Sequence, residues 1–265
     1  MKKSILGIII VIIIVLISIG IYYYTQNMST TESSNISSNT VEEPNVTSGN
    51  ISENAAELEV GTNEQRGFII DNVLHSEEQG DIHFASYFPE GYNETDQYAI
   101  YFALPGWEGL YFQGVGANMN EPFPYEAQQY NKDMIIISLQ LDDWGGETLS
   151  IVLGKRPELF TSALFVSSQW DGDLEVLANE RTPLYIAIGE NDSYYGSQKA
   201  KNAYNSLHKL YEEQGLSDEQ IADILVLDVK NHDYFTSQGM QDEHAGLGLF
   251  AYDENIMNWF FSKSK

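Results

Sequence analysis

The chain contains no cysteine. A disulfide framework, a lipid-modified cysteine and a thiol nucleophile are therefore all excluded. Cations are scarce as well: 13 Lys and Arg stand against 39 Asp and Glu, a formal net charge of −26. Past residue 25 the balance is 11 basic to 39 acidic, or −28 (11 − 39). Nucleic acid and anionic lipid are poor partners for such a surface, because it repels phosphates over a Debye length or more. Solubility is the simplest consequence of the charge.

Long apolar runs are confined to the amino terminus and to short internal strands. Met1-Lys2-Lys3 precedes an uncharged run of twenty residues, Ile5 to Tyr24. That length spans a bilayer as a helix, and Tyr22-Tyr23-Tyr24 suits a membrane interface. Lysines before the span place the amino terminus in the cytoplasm and the rest outside. Residues 1–25 are thus expected to be an uncleaved signal anchor; the alternative is a cleaved signal peptide and a secreted protein. Residues 26–61, rich in Ser, Thr, Asn and Glu, read as a flexible tether, and 62–265 as one folded domain.

Within that domain, strand patterns alternate with helix patterns. Gly67 to Phe88 predicts a hairpin. Tyr98–Leu104, Met134–Leu139, Ser162–Ser167, Leu184–Gly189 and Ile224–Val229 are continuous apolar runs, as in strands buried on both faces. Pro122–Tyr130, Ser197–Gln214 and Asp253–Phe261 have helical spacing. The expected class is α/β, with one mostly parallel sheet, flanking helices and an amino-terminal hairpin.

A further absence is local and bears on chemistry. The strand ending at Leu141 leads through Asp142-Asp143-Trp144 into Gly145-Gly146-Glu147 and a helix. Strand, tight glycine turn and helix are the setting of a nucleophile elbow, Gly-x-Ser-x-Gly, which lifts a serine above a parallel sheet. Here the glycines are present and the serine is not: Asp143 stands where the nucleophile belongs. Ser138 falls in a strand, Ser150 inside the helix, and Ser167 and Ser168 at a strand end without glycine context.

From Gly67 onward the chain resembles an α/β-hydrolase, nearest to secreted esterases of the polyhydroxybutyrate depolymerase and feruloyl esterase kind and to prolyl-oligopeptidase-like enzymes. Leu104-Pro-Gly-Trp-Glu-Gly109, Ile186-Ala-Ile-Gly-Glu-Asn-Asp192 and His244-Ala-Gly-Leu-Gly-Leu-Phe250 carry the resemblance. It implies a Ser–Asp–His triad in that chain order, hydrolysis of a small or polymeric carboxylic ester, and no metal or organic cofactor. Asp192, just past a buried strand, is the expected orienting carboxylate, and a helix N-cap is the plainer use of the same residue. His244 is the expected base, with His232 as runner-up. The Trp107 amide is the candidate oxyanion donor. Against the family pattern, a helix and the central elbow strand are missing before Gly145, a block of roughly 25–35 residues. The expected function is therefore an anchored extracellular esterase impaired by loss of its serine. A peptidase of the same fold, or a non-catalytic surface module binding a glycan or peptide, are the alternatives.

Overall fold

The computed structural model describes residues 57–77 and 80–263. The anchor expected at residues 1–25 and nearly all of the tether lie outside the described residues. Among the described residues no helix is long and apolar enough to cross a membrane.

The domain opens with two short strands, β1 (Glu57–Glu59) and β2 (Glu64–Gln65), both antiparallel to β3 (Phe68–Ser76). Strand β4 (Gly80–Tyr87) completes the expected hairpin, with Leu74 opposite Ile82 and Val73 opposite His83. Leu74, Ile82 and Phe84 are buried while Val73, Asp81 and His83 are not, as the period-two pattern requires. The α/β portion follows in order: β5 (Ile100–Ala103), α1 (Phe123–Tyr130), β6 (Ile135–Gln140), α2 (Gly145–Leu153), β7 (Ala163–Val166), α3 (Leu174–Glu180) and β8 (Leu184–Gly189). It ends with α4 (Ser197–Glu213), α5 (Asp218–Ile224), β9 (Leu225–Lys230), α6 (His232–Thr236), a 3-10 stretch Ala245–Tyr252, and α7 (Glu254–Phe261).

Every residue of β6 and of β8 is buried, which accounts for their apolar character apart from Ser138 and Gln140, whose side chains bond to Asn118 and to the Gly114 and Gly116 backbone. Helix α4 turns Ala200, Ala203, Leu207 and Tyr211 inward, one stripe of a 3.6-residue period. Helix α5 begins at a capping box: the Ser217 side chain accepts from Gln220 N–H while the Gln220 side chain accepts from Ser217 N–H.

The strands form a mixed sheet in the order β1-β3-β4-β6-β5, with β2 also on β3, and a separate parallel sheet β7-β8-β9. The expectation of a single sheet is corrected here. Among the described residues strand β5 pairs only with β6, in parallel, and β7 only with β8. The break has a simple cause. Only Leu141–Trp144 separate β6 from α2, enough for a loop and far too few for another helix and strand. Among the described residues no segment stands between β5 and β7.

Helix α2 instead starts at the mouth of the break. Gly145 N–H donates to the Pro105 carbonyl at 3.0 Å. A Cβ on Gly145 would stand 2.5 Å from that carbonyl oxygen, and one on Gly146 would stand 2.5 Å from the Ser168 Cβ. The two glycines therefore let the helix end pass between the loops that follow β5 and β7.

Candidate active site

Asp192 lies three residues beyond β8, at the carboxyl end of the strand, where open parallel sheets place ligands. Its carboxylate is buried, and Oδ1 accepts from the N–H groups of Tyr194 (3.0 Å) and Tyr195 (2.8 Å). Oδ2 lies 2.9 Å from Nδ1 of His244. Burial alone would push the Asp192 carboxyl up, but the bonds from His244 and the two backbone amides outweigh it and hold it below the usual range. His244 is fixed from behind by Asp242, whose Oδ1 accepts from the N–H groups of His244 and Ala245 at 2.9 Å each.

His232 has a different partner. Its Nδ1 lies 3.1 Å from Oε1 of the buried Glu243, while its own side chain is half exposed. Glu243 also accepts from Asn191 N–H at 2.6 Å and from the Asn191 amide at 3.2 Å. Gly189 permits this approach, since a Cβ there would stand 2.7 Å from Glu243. The two histidines thus sit on adjacent acids, and only His244 meets Asp192.

His244 lines a cavity of about 530 Å³ together with Pro105, Gly146, Ser168, Tyr195 and Leu247. Trp107 and Trp144 stand at the same cavity, and their rings belong to a row. Phe112 packs on Trp107 at 4.7 Å between centroids, Trp107 on Trp144 at 5.3 Å, Trp144 on Tyr194 at 5.3 Å, and Tyr194 on His244 at 5.3 Å. Phe112, Trp107 and Tyr194 are each at least 50% exposed, a contiguous apolar strip unusual on a surface so charged.

Sequence reasoning missed several polar groups of this cavity. Tyr195 donates to Glu147 Oε1 at 3.0 Å, and burial raises the Glu147 carboxyl above its ordinary range. Glu121 Oε1 accepts the Gly106 N–H at 2.6 Å, clamping the Pro105-Gly106-Trp107 loop. Burial pushes the Glu121 carboxyl up to about 7, against the pull of that bond. Ser167 has φ +42°, in the left-handed region, and among the described residues its buried Oγ has no hydrogen-bond partner.

Asp143 occupies the position at which the sequence pattern predicts a nucleophile. Asp143 is exposed, and its Oδ1 accepts the Trp144 N–H at 2.8 Å, which is turn chemistry. Ser138 accepts from the Asn118 amide inside the sheet, and Ser150 donates to the Glu147 carbonyl. Among the described residues, His208, Glu212 and Asp218 bring one potential metal ligand each within 4.8 Å of one another. They are the α4 and α5 surface groups of an ordinary acidic face, His208 lying 3.7 Å from Glu212.

Among solved structures, the chain is similar to a thermostable esterase, with a TM-score of 0.57 at 13% identity over 75% of this chain and 64% of that one. The chain has the α/β-hydrolase fold. It is also matched to the BES protein from Bacillus cereus, with a TM-score of 0.44, 12% identity, and coverage of 78% of this chain and 98% of the other. The chain thus spans less than two thirds of the length of the thermostable esterase. No protein-family model and no curated protein sequence matches it. In the α/β-hydrolase fold the break between β5 and β7 falls inside the parallel region, beside the cavity that His244 lines.

Proposed function

We propose that this α/β-hydrolase domain descends from a carboxylic-ester hydrolase held outside the cell by its amino-terminal apolar segment, and that it retains the base and the orienting carboxylate without the nucleophile. The observation that carries the reading is the 2.9 Å contact of Asp192 with His244 at the edge of an apolar cavity. A buried carboxylate on Nδ1 holds the proton there, so Nε2 is the basic nitrogen available to the cavity. With no serine to activate, the imidazole takes a proton from water. The water oxygen adds to the ester carbonyl, and the proton returns to the departing alkoxide as the carbon–oxygen bond breaks. Backbone N–H groups around Trp107 are the candidate donors to the developing oxyanion. The aromatic row suits an apolar or aromatic group on either side of the ester.

Slow hydrolysis of p-nitrophenyl acetate tests this. The wild type is expected to turn over above the buffer rate, and His244→Ala to lose at least about tenfold of that excess, in the range of general-base contributions. Equal rates would remove His244 from the chemistry.

A second reading is a non-catalytic binding module. The exposed row Phe112–Trp107–Trp144–Tyr194 favours it, because the row persists although the nucleophile does not. Binding of a soluble glycan or peptide that is unaffected by His244→Ala and abolished by Trp107→Ala would select this reading.

A further inference from the structure

The break in the sheet has hydrogen-bonding edges on both sides. In a parallel strand, alternate residues direct both N–H and C=O to the same side. The Ala99 carbonyl accepts from Ile135 N–H on β6, so the next residue, Ile100, and then Phe102 direct their backbone groups away from β6. On the other half, the N–H groups of Ala163 and Ser167 donate to the carbonyls of Pro183 and Ala187. Leu164 and Val166 therefore point theirs away from β8. All four residues line the same cavity of about 530 Å³. Two parallel edges, each with two donors and two acceptors, thus face one space.

The walls of that space are apolar. Tyr101, Leu149, Phe160, Phe260 and Phe261 line it, and the titratable side chains at it besides tyrosines are Glu121, His244 and Lys263. Lys263 is already held by the Asp223 carbonyl and carboxylate at 2.7 and 2.9 Å. Ile100, Phe102, Leu164 and Val166 are partly buried, and backbone groups withdrawn from water need partners, which a small ligand cannot supply along both edges. An extended segment can, since its alternate residues bond to β5 on one side and β7 on the other.

We infer that the break between β5 and β7 is an acceptor slot for one extended, apolar strand of another polypeptide, with basic residues flanking the strand. The apolar part follows from the walls, and its length from the four-residue edges Ile100–Ala103 and Ala163–Val166. The basic flanks follow from charge: a surface of net −26 repels a second copy of itself and attracts a cationic segment. Strand addition of this kind draws affinity from main-chain bonds, with side chains setting specificity. Joining the two half-sheets would close both exposed edges at once.

The test uses the full chain, a synthetic peptide of about five valines flanked by lysines, and the same peptide N-methylated at alternate valines, so that charge is identical while main-chain donors are lost; the length matches a short strand. Fluorescence anisotropy and amide hydrogen exchange are measured together. The expected result is saturable binding, slowed exchange at Ile100, Phe102, Leu164 and Val166, and at least tenfold weaker binding of the methylated peptide. Val166→Pro removes a slot-facing N–H that β8 does not use, and is expected to weaken the unmethylated peptide at least tenfold while leaving the melting temperature near that of wild type. If this variant does not fold, the wild-type exchange data decide alone. Equal binding of the two peptides would reduce the contact to charge and overturn the inference. So would protection of the four amides before peptide is added: if it vanishes on deleting residues 1–56, the chain fills its own slot, and if it grows with protein concentration, a second copy does.

Discussion

Gly146 and Ser168 face each other so closely that a Cβ on the glycine would stand 2.5 Å from the Cβ of the serine. The first turn of α2 is thereby pressed against the end of β7, and Gly145 is pressed in the same way against Pro105. Substituting either glycine by alanine forces backbone to move. Gly146→Ala is expected to destabilise the domain by about 1–3 kcal/mol, the usual cost of overpacking. Urea denaturation measures it, and an unchanged midpoint would show that the helix end is not wedged.

Asp192→Asn is expected to act on both stability and chemistry. The wild-type carboxyl is held below its ordinary range, so its stabilising contribution is present above that range and is lost as pH falls through the lowered folded value. The variant should lack this acid-side loss. Because an amide can present N–H to the imidazole and reverse its tautomer, any residual ester turnover should fall as well. Melting curves between neutral and acid pH, paired with ester assays, report the two effects separately.

Glu121 has the opposite sign. Burial raises its carboxyl from an ordinary value of 4.5 to about 7, so the folded protein binds that proton more tightly than the unfolded chain. Its contribution is full below the ordinary value and is lost as pH rises through about 7. The stability of wild type relative to Glu121→Gln should therefore decline across that window. A flat difference would contradict the burial that raises the Glu121 carboxyl.

The amino-terminal run predicts location. If residues 26–61 form the proposed polar tether, protease added to intact cells is expected to release a soluble fragment beginning there. A domain protected from protease would reverse the orientation read from Lys2 and Lys3.

The strands and long helices were legible because burial on both faces leaves apolar runs, as in Ile135–Ile137 and Leu184–Gly189. Helices α3 and α5 are short and solvent-facing, so periodicity was weak. Asp173 and the Ser217–Gln220 capping box were the available signals for them. The meeting of Asp192 with His244 was legible from chain order and from the glycines after the histidine. Glu243 was not, since a buried acid in a polar loop reads as loop. Tyr195, Glu121 and Ser168 reach the cavity through long-range packing, which leaves no local pattern. The short Leu141–Trp144 connection was visible in the sequence, whereas the division into two sheets emerged only from the pairing.

Inserting an elbow block is the most direct test of the proposal that the domain descends from an esterase, keeping the base and lacking the nucleophile. A helix, a strand and a Gly-x-Ser turn of roughly 25–35 residues, inserted between Asp143 and Gly145, would refill the break and place a serine at the helix entrance. Turnover of a p-nitrophenyl ester and covalent labelling by an organophosphate are measured on both forms. The restored protein is expected to label at the new serine and to gain several orders of magnitude in rate, since losing the serine of a working triad costs on the order of a million-fold. Rapid labelling of the unaltered chain at Ser167, Ser168 or any other residue, with turnover to match, would contradict the account.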